Sequence, residues 1–126
     1  MPASVVDASV LGAWCFREPR ADEAFDLLKG RDLYAPYLLA YEVTSIARRK
    51  VTRYAEHLNS IVYALQVALA LRINWYDTDH LEVLKLALKS NLTTYDASYL
   101  YLARELGLPL ITFDQRLARA SEASGT

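Results

Sequence analysis

Four acids in this chain, Asp7, Glu42, Asp96 and Asp114, have the residue types and the setting to do chemistry together. Asp7 follows the short run Ser4-Val5-Val6, and Asp114 follows the run Leu110-Ile111-Thr112-Phe113. Glu42 and Asp96 fall early in segments with helical spacing. In a parallel α/β sheet, strand ends and helix starts meet at one edge, where sites form. Carboxylates gathered within a few ångströms there raise one another's pKa unless a cation intervenes. An all-oxygen donor set selects a hard ion, Mg²⁺ or Mn²⁺, over zinc. Neither His57 nor His80 falls near these positions, and the one cysteine, Cys15, completes no zinc signature. An acid centre of this kind suits hydrolysis of phosphodiesters. Each acid also has an ordinary alternative: Asp7 and Asp96 as helix N-caps, Asp114 as a turn or cap residue, Glu42 as an ion-pair partner.

Elements must deliver these acids to one edge. Residues 94–114 read as one αβ unit. Asp96 opens a helix with apolar positions at Tyr99, Leu102, Ala103 and Leu106. Gly107 stands where a C′ glycine closes a helix, Pro109 forbids its continuation, and 110–113 reads as a buried strand. Upstream, the spacing predicts helices over 8–16, 21–29 and 37–50. A short strand is predicted over 33–35, with Pro36 in the first turn of the next helix. Glu42 lies on or beside the apolar stripe of Leu38, Leu39 and Ile46, where an unpaired charge is uncommon. Arg48, Arg49, Lys50 and Arg53 cluster at the end of that helix. They either form a solvated cap suited to the negative end of the dipole or contact phosphates. A long helix is predicted over 54–71, apolar on more than one side. Leu58, Ile61, Leu65 and Leu69 make one stripe, so the helix is buried on two sides or faces a second copy of the chain. A weak strand over 73–76 precedes a helix over 79–89 with Asp79 and Glu82 at capping-box spacing. A short helix over 115–120 follows Asp114. Strands alternating with helices in this order imply a parallel, doubly wound sheet with helices on both faces.

The chain has 126 residues, 53% of them hydrophobic, enough for one domain with a real core. Residues 121–126 read as a frayed tail. Fourteen basic against fifteen acidic residues give a net charge of −1, which excludes a broad basic surface. Any nucleic-acid contact must then come from a local patch. A lone cysteine cannot form an internal disulfide, so a reducing, cytoplasmic compartment is expected. The first basic residue is Arg17, so a signal-peptide n-region is absent, and no apolar run reaches membrane-spanning length.

Four segments resemble, in order, the motifs of PIN-domain proteins. They are Val5-Val6-Asp7-Ala8-Ser9-Val10; Ala35-Pro36 through Glu42 to Arg48-Arg49-Lys50; Tyr95-Asp96-Ala97-Ser98-Tyr99 through Leu102-Ala103; and Leu110-Ile111-Thr112-Phe113-Asp114-Gln115-Arg116-Leu117. Any one is weak; four at family spacing are specific, and the chain is most similar to VapC-like toxins. The resemblance implies a single three-layer α/β/α domain over 1–126, with a central, mainly parallel sheet of four or five strands. It implies a Mg²⁺- or Mn²⁺-dependent endoribonuclease in which Asp7, Glu42, Asp96 and Asp114 are the catalytic, metal-binding acids. Thr112 and Ser9 would be supporting polar residues. RNA would be the substrate, a VapB-like antitoxin the inhibitor, and a homodimer the assembly, with no membrane association.

Two other readings stay open. A receiver-like phosphoacceptor domain has a similar size and an acidic Mg²⁺ pocket, but needs a lysine after a late strand; the last lysine here is Lys89. An inactive PIN-like interaction module would keep the shape without the chemistry.

Overall fold

The computed structural model of the protein describes residues 2–123. Four strands, β1 (Ala3–Val6), β2 (Asp32–Pro36), β3 (Ile73–Tyr76) and β4 (Leu110–Ile111), form one sheet in the order β3-β2-β1-β4. All three pairings are parallel: Val5 faces Tyr34 on one side and Leu110 on the other, and Leu33 faces Ile73. Parallel strands need crossovers, and helices supply them. These are α1 (Ala8–Cys15), α2 (Ala21–Leu28), α3 (Leu38–Arg53), α4 (Leu58–Ala70), α5 (His80–Ser90), α6 (Thr94–Leu106) and α7 (Gln115–Ala123). The result is the expected α/β/α sandwich. Val5 and Val6 in the central strand are fully buried, as a strand covered on both faces requires. Among the described residues, no helix is long and apolar enough to cross a membrane.

The core runs through α6, where Ala97, Leu100 and Ala103 are fully buried and Tyr99 and Leu102 nearly so. Gly107, at φ +66°, ends this helix as the C′ position demands. Gly12 in α1 lets a second helix come close: a Cβ there would stand 2.8 Å from Ile46 Cδ1 of α3.

Five sequence expectations need correction. Pro36 does not open a helix; it ends β2, and α3 starts at Leu38. The helix expected over 54–71 is interrupted, because α3 runs on to Arg53, Tyr54 leaves helical geometry, and a 3₁₀ turn at Ala55–His57 precedes α4. Leu58 and Leu69 of its expected stripe are exposed, whereas Ile61 and Ala68 are buried. Asp96 does not cap α6: the Thr93 hydroxyl accepts its N–H at 3.0 Å, which leaves Asp96 in the first turn. Finally, β4 ends at Ile111, and α7 continues through Ala123 rather than stopping at 120. Residues 124–126 of the expected tail lie outside the described residues.

Candidate functional site

Asp7 leaves β1 and becomes the N-cap of α1 in one residue. It is 5% exposed, and its carboxylate is held on both oxygens. Oδ1 accepts from the Ser9 hydroxyl at 2.6 Å and from the Ser9 and Val10 N–H groups at 3.1 and 3.3 Å. Oδ2 accepts from the Thr112 hydroxyl at 2.5 Å. Ser9 and Thr112 in turn tie Asp7 to the loop after β4: the Phe113 N–H donates to Ser9 Oγ, and the Asp114 N–H to Thr112 Oγ1, both at 2.9 Å. The two polar residues therefore act as struts for one carboxylate.

Glu42 sits half-buried in the second turn of α3, where the Tyr99 hydroxyl donates to its Oε1 at 2.5 Å. That length matches an O–H···O⁻ bond assisted by charge. Asp96 stands half-buried in the first turn of α6. Asp114 is exposed and caps α7, accepting the Leu117 N–H at 2.9 Å. The cap reading thus holds at Asp7 and Asp114, both of which remain candidate site residues.

The acids feel one another in sequence around the edge. Burial pushes Asp7 up from the usual aspartate value, against the pull of its hydrogen bonds. Burial also raises Glu42, followed by the charges of Asp96 and Asp7, while the Tyr99 bond opposes them. Asp96 is raised by burial and then by the charge of Asp114, with Thr93 and Arg116 pulling it down. Yet the expected convergence within a few ångströms is not found. Among the described residues, no three carboxylate, imidazole or thiol groups stand close enough to hold one metal ion. Like charges without a counter-ion repel, and hydroxyls or N–H groups anchor the carboxylates of Asp7, Glu42 and Asp114. The donor chemistry fits a hard divalent cation: all the donors are oxygens, and Glu42 and Asp96 are half-buried and raised by neighbouring negative charge, a cost that a cation relieves.

Raised carboxylates have a stability consequence. The folded state binds these protons more tightly than the unfolded chain. Ionisation of Asp7, Glu42 and Asp96 therefore costs stability at neutral pH, and acidification through their raised pKa values returns it. Glu23, held low by Arg20, gives up its own contribution only below its usual 4.5. In EDTA, the melting temperature is expected to rise as pH falls from 7 toward about 5; a scan of unfolding against pH checks it.

Beside the acids lies a cavity of about 520 Å³, lined by Ser9, Glu42, Arg49, Tyr41 and Tyr95 among others. The basic cluster at the end of α3 divides. Arg49 lines this cavity, Lys50 pairs with Glu18 at 2.8 Å, and the Arg53 guanidinium lies 5.5 Å from the Tyr54 ring centroid. Arg48 does not line the cavity. Residues one apart on a helix point about 100° from each other, which adjacency in sequence hides. Tyr99 was expected on an apolar face and within the third resembling motif, with no role at the site. Its place one turn after Asp96 was the available signal. Cys15 is no second centre, since burial pushes its thiol up to about 12.

Comparison with known proteins supplies the family. The chain is similar to the ribonuclease VapC3 of Pyrobaculum aerophilum, 34% identical over 90% of this chain and 91% of that one. It is also similar to the ribonuclease VapC9 of Mycobacterium tuberculosis, 32% identical over 94% and 91%. The crystal structure of PAE2754 from Pyrobaculum aerophilum shares the fold with a TM-score of 0.79, at 24% identity over 96% of this chain and 86% of that one. So does that of Mycobacterium tuberculosis VapC20, described as a sarcin-ricin loop cleaving toxin, with a TM-score of 0.73 and 14% identity over 93% and 94%. The PIN domain profile matches residues 4–123, and with relatives this similar along nearly its whole length, the chain belongs to the PIN-domain family, among its VapC-like members.

Proposed function

We propose that the protein is a Mg²⁺- or Mn²⁺-dependent endoribonuclease, the toxin of a VapBC-type pair. The observation that carries this is geometric: at the C-terminal edge of the sheet Thr112 joins the Asp7 carboxylate to the Asp114 backbone, and Tyr99 of the helix that bears Asp96 holds Glu42. Asp7, Glu42, Asp96 and Asp114 are the acids this reading assigns to the metal, and since no three of them stand within reach of one ion among the described residues, holding it would require them to draw closer. When bound, the ion supplies a Lewis acid that makes water a stronger nucleophile and neutralises charge on the scissile phosphate. The residues of the chain do the positioning. Thr112 and Ser9 fix the Asp7 carboxylate, and the Tyr99 hydroxyl fixes one oxygen of Glu42 and leaves the other free. Arg49 meets the RNA backbone in the cavity beside Glu42, with Arg48, Lys50 and Arg53 farther along the same helix end. Single domain organisation, a cytoplasmic setting and a VapB-like antitoxin that covers the acids belong to the same reading. The exposed Val62, Tyr63 and Leu69 of α4 support a homodimer.

The test is cleavage of RNA by antitoxin-free protein with Mg²⁺, Mn²⁺ or EDTA, beside an Asp7→Asn variant. Cleavage is expected with either ion, none in EDTA, and 5′-phosphate and 3′-hydroxyl product ends by end-labelling. Products with 2′,3′-cyclic phosphate would reject in-line attack by water. Equal cleavage by the variant would reject the acid centre.

A further inference from the structure

The corner between α1 and α2 holds a cation in an unusual backbone. α1 closes with the hydrogen bonds of a Schellman motif: the Glu18 N–H reaches Ala13 O at 3.0 Å, and the Arg17 N–H reaches Trp14 O at 3.3 Å. Arg17 occupies the C′ position with φ +54°. Glycine is the usual residue there, because any Cβ is crowded in the left-handed region. Among the described residues the other non-glycine at positive φ is Asn91, a type that tolerates it. Arginine has no such excuse, and strain retained in a backbone points to use of the side chain.

That side chain is exposed and lines a trough of about 690 Å³. The trough shares Ala8, Ser9, Ile46 and Arg49 with the cavity beside Glu42, so the two adjoin. Four cations line it: Arg17, Arg20, Arg49 and Lys50. Glu18 pairs with Lys50, and Glu23 with Arg20. Among the described residues, neither Arg17 nor Arg49 has an ion-pair partner. One wall is aromatic, with the Arg20 guanidinium 3.7 Å from the Phe113 ring centroid. Two unpaired cations in a trough that also holds the Phe16 and Phe113 rings, adjoining an acidic centre, fit a single polynucleotide strand.

We propose that this trough carries the RNA strand away from the cleavage site, with Arg17 and Arg49 on successive stretches of its phosphate backbone. The inference rests on the ribonuclease reading above. It makes Arg17, at the α1–α2 corner and 31 positions before the nearest residue of the basic cluster on α3, a substrate-binding residue.

Steady-state cleavage of a short, mixed-sequence single-stranded RNA tests it, with wild type, Arg17→Gly and Arg17→Lys compared across salt concentrations. Arg17→Gly relieves the backbone, so its melting temperature is expected to hold or rise. Its KM is expected to increase several-fold at low salt with kcat retained. The slope of log(kcat/KM) against log salt is expected to flatten by about 0.7, one phosphate contact on a single strand. Arg17→Lys is expected to restore the slope. An unchanged KM and slope in Arg17→Gly, with wild type active, would overturn this inference alone. If poly-glutamate then competed with wild type but not with the variant, the corner would belong to an acidic protein partner instead. No cleavage by wild type would overturn the nuclease reading and this inference with it.

Discussion

Asp7→Asn is expected to lower RNA cleavage by about 10² to 10⁴-fold while the protein stays folded. Asparagine retains an oxygen for the N–H groups of Ser9 and Val10, so α1 keeps its cap. It places an NH₂ group where Oδ2 accepts from Thr112. The Thr112 hydroxyl must then turn, while it still accepts the Asp114 N–H. The substitution therefore removes a negative charge and loosens the link between the first and last acids of the site. Because burial raises Asp7, its ionised form is a cost to the fold, and the variant is expected to melt at or above the wild-type temperature near pH 7. Cleavage kinetics beside a thermal melt separate the two effects. A variant that loses activity only because it unfolds would contradict the role given to the carboxylate. Divalent ion supplies a further readout: it should raise the wild-type melting temperature by mass action and raise that of the variant less.

The largest stability effect is expected at Leu100. This side chain is fully buried in α6, whose first turn carries Asp96 and whose next turn carries Tyr99. Leu100→Ala removes buried methyl groups and leaves a cavity, which costs about 2–5 kcal/mol. A domain of this size has only about 5–15 kcal/mol in total. The melting temperature should fall by at least about 5 °C, and the urea midpoint should fall with it. Leu100→Met conserves volume and should cost less than about 1.5 kcal/mol. If the two variants melted alike, packing at this position would not be what holds α6 to the sheet.

The strand-helix order was legible because each strand is short, apolar and bounded by punctuation, as at Gly107 and Pro109 around β4. The four acids were legible because the strand ends locate two of them and helical spacing the others. What escaped had no local mark. The break at Tyr54 contains neither glycine nor proline, so only the turn of the chain toward α4 stops α3 there. Tyr99 looks like any aromatic on an apolar face, and its hydroxyl partner lies 57 residues away in sequence. Arg17 escaped for the opposite reason: a glycine would have announced the left-handed corner, and an arginine conceals it. The expected metal geometry was read from charge alone. Among the described residues no three of these groups stand close enough to share one ion.

The hydroxyl that braces Asp7 comes from Thr112, 105 residues later in the chain. During translation, at about 5–20 residues per second, roughly 5–20 seconds separate the two. For that interval β1 has no β4 beside it, and its aspartate lacks both the Thr112 hydroxyl and the electrostatic circuit that ends at Asp114. A nascent or stalled chain that stops before β4 carries three of the four acids on an unfinished sheet edge. If the four acids form the nuclease site as proposed, the order of synthesis delays the hazardous chemistry until nearly the whole domain has been made.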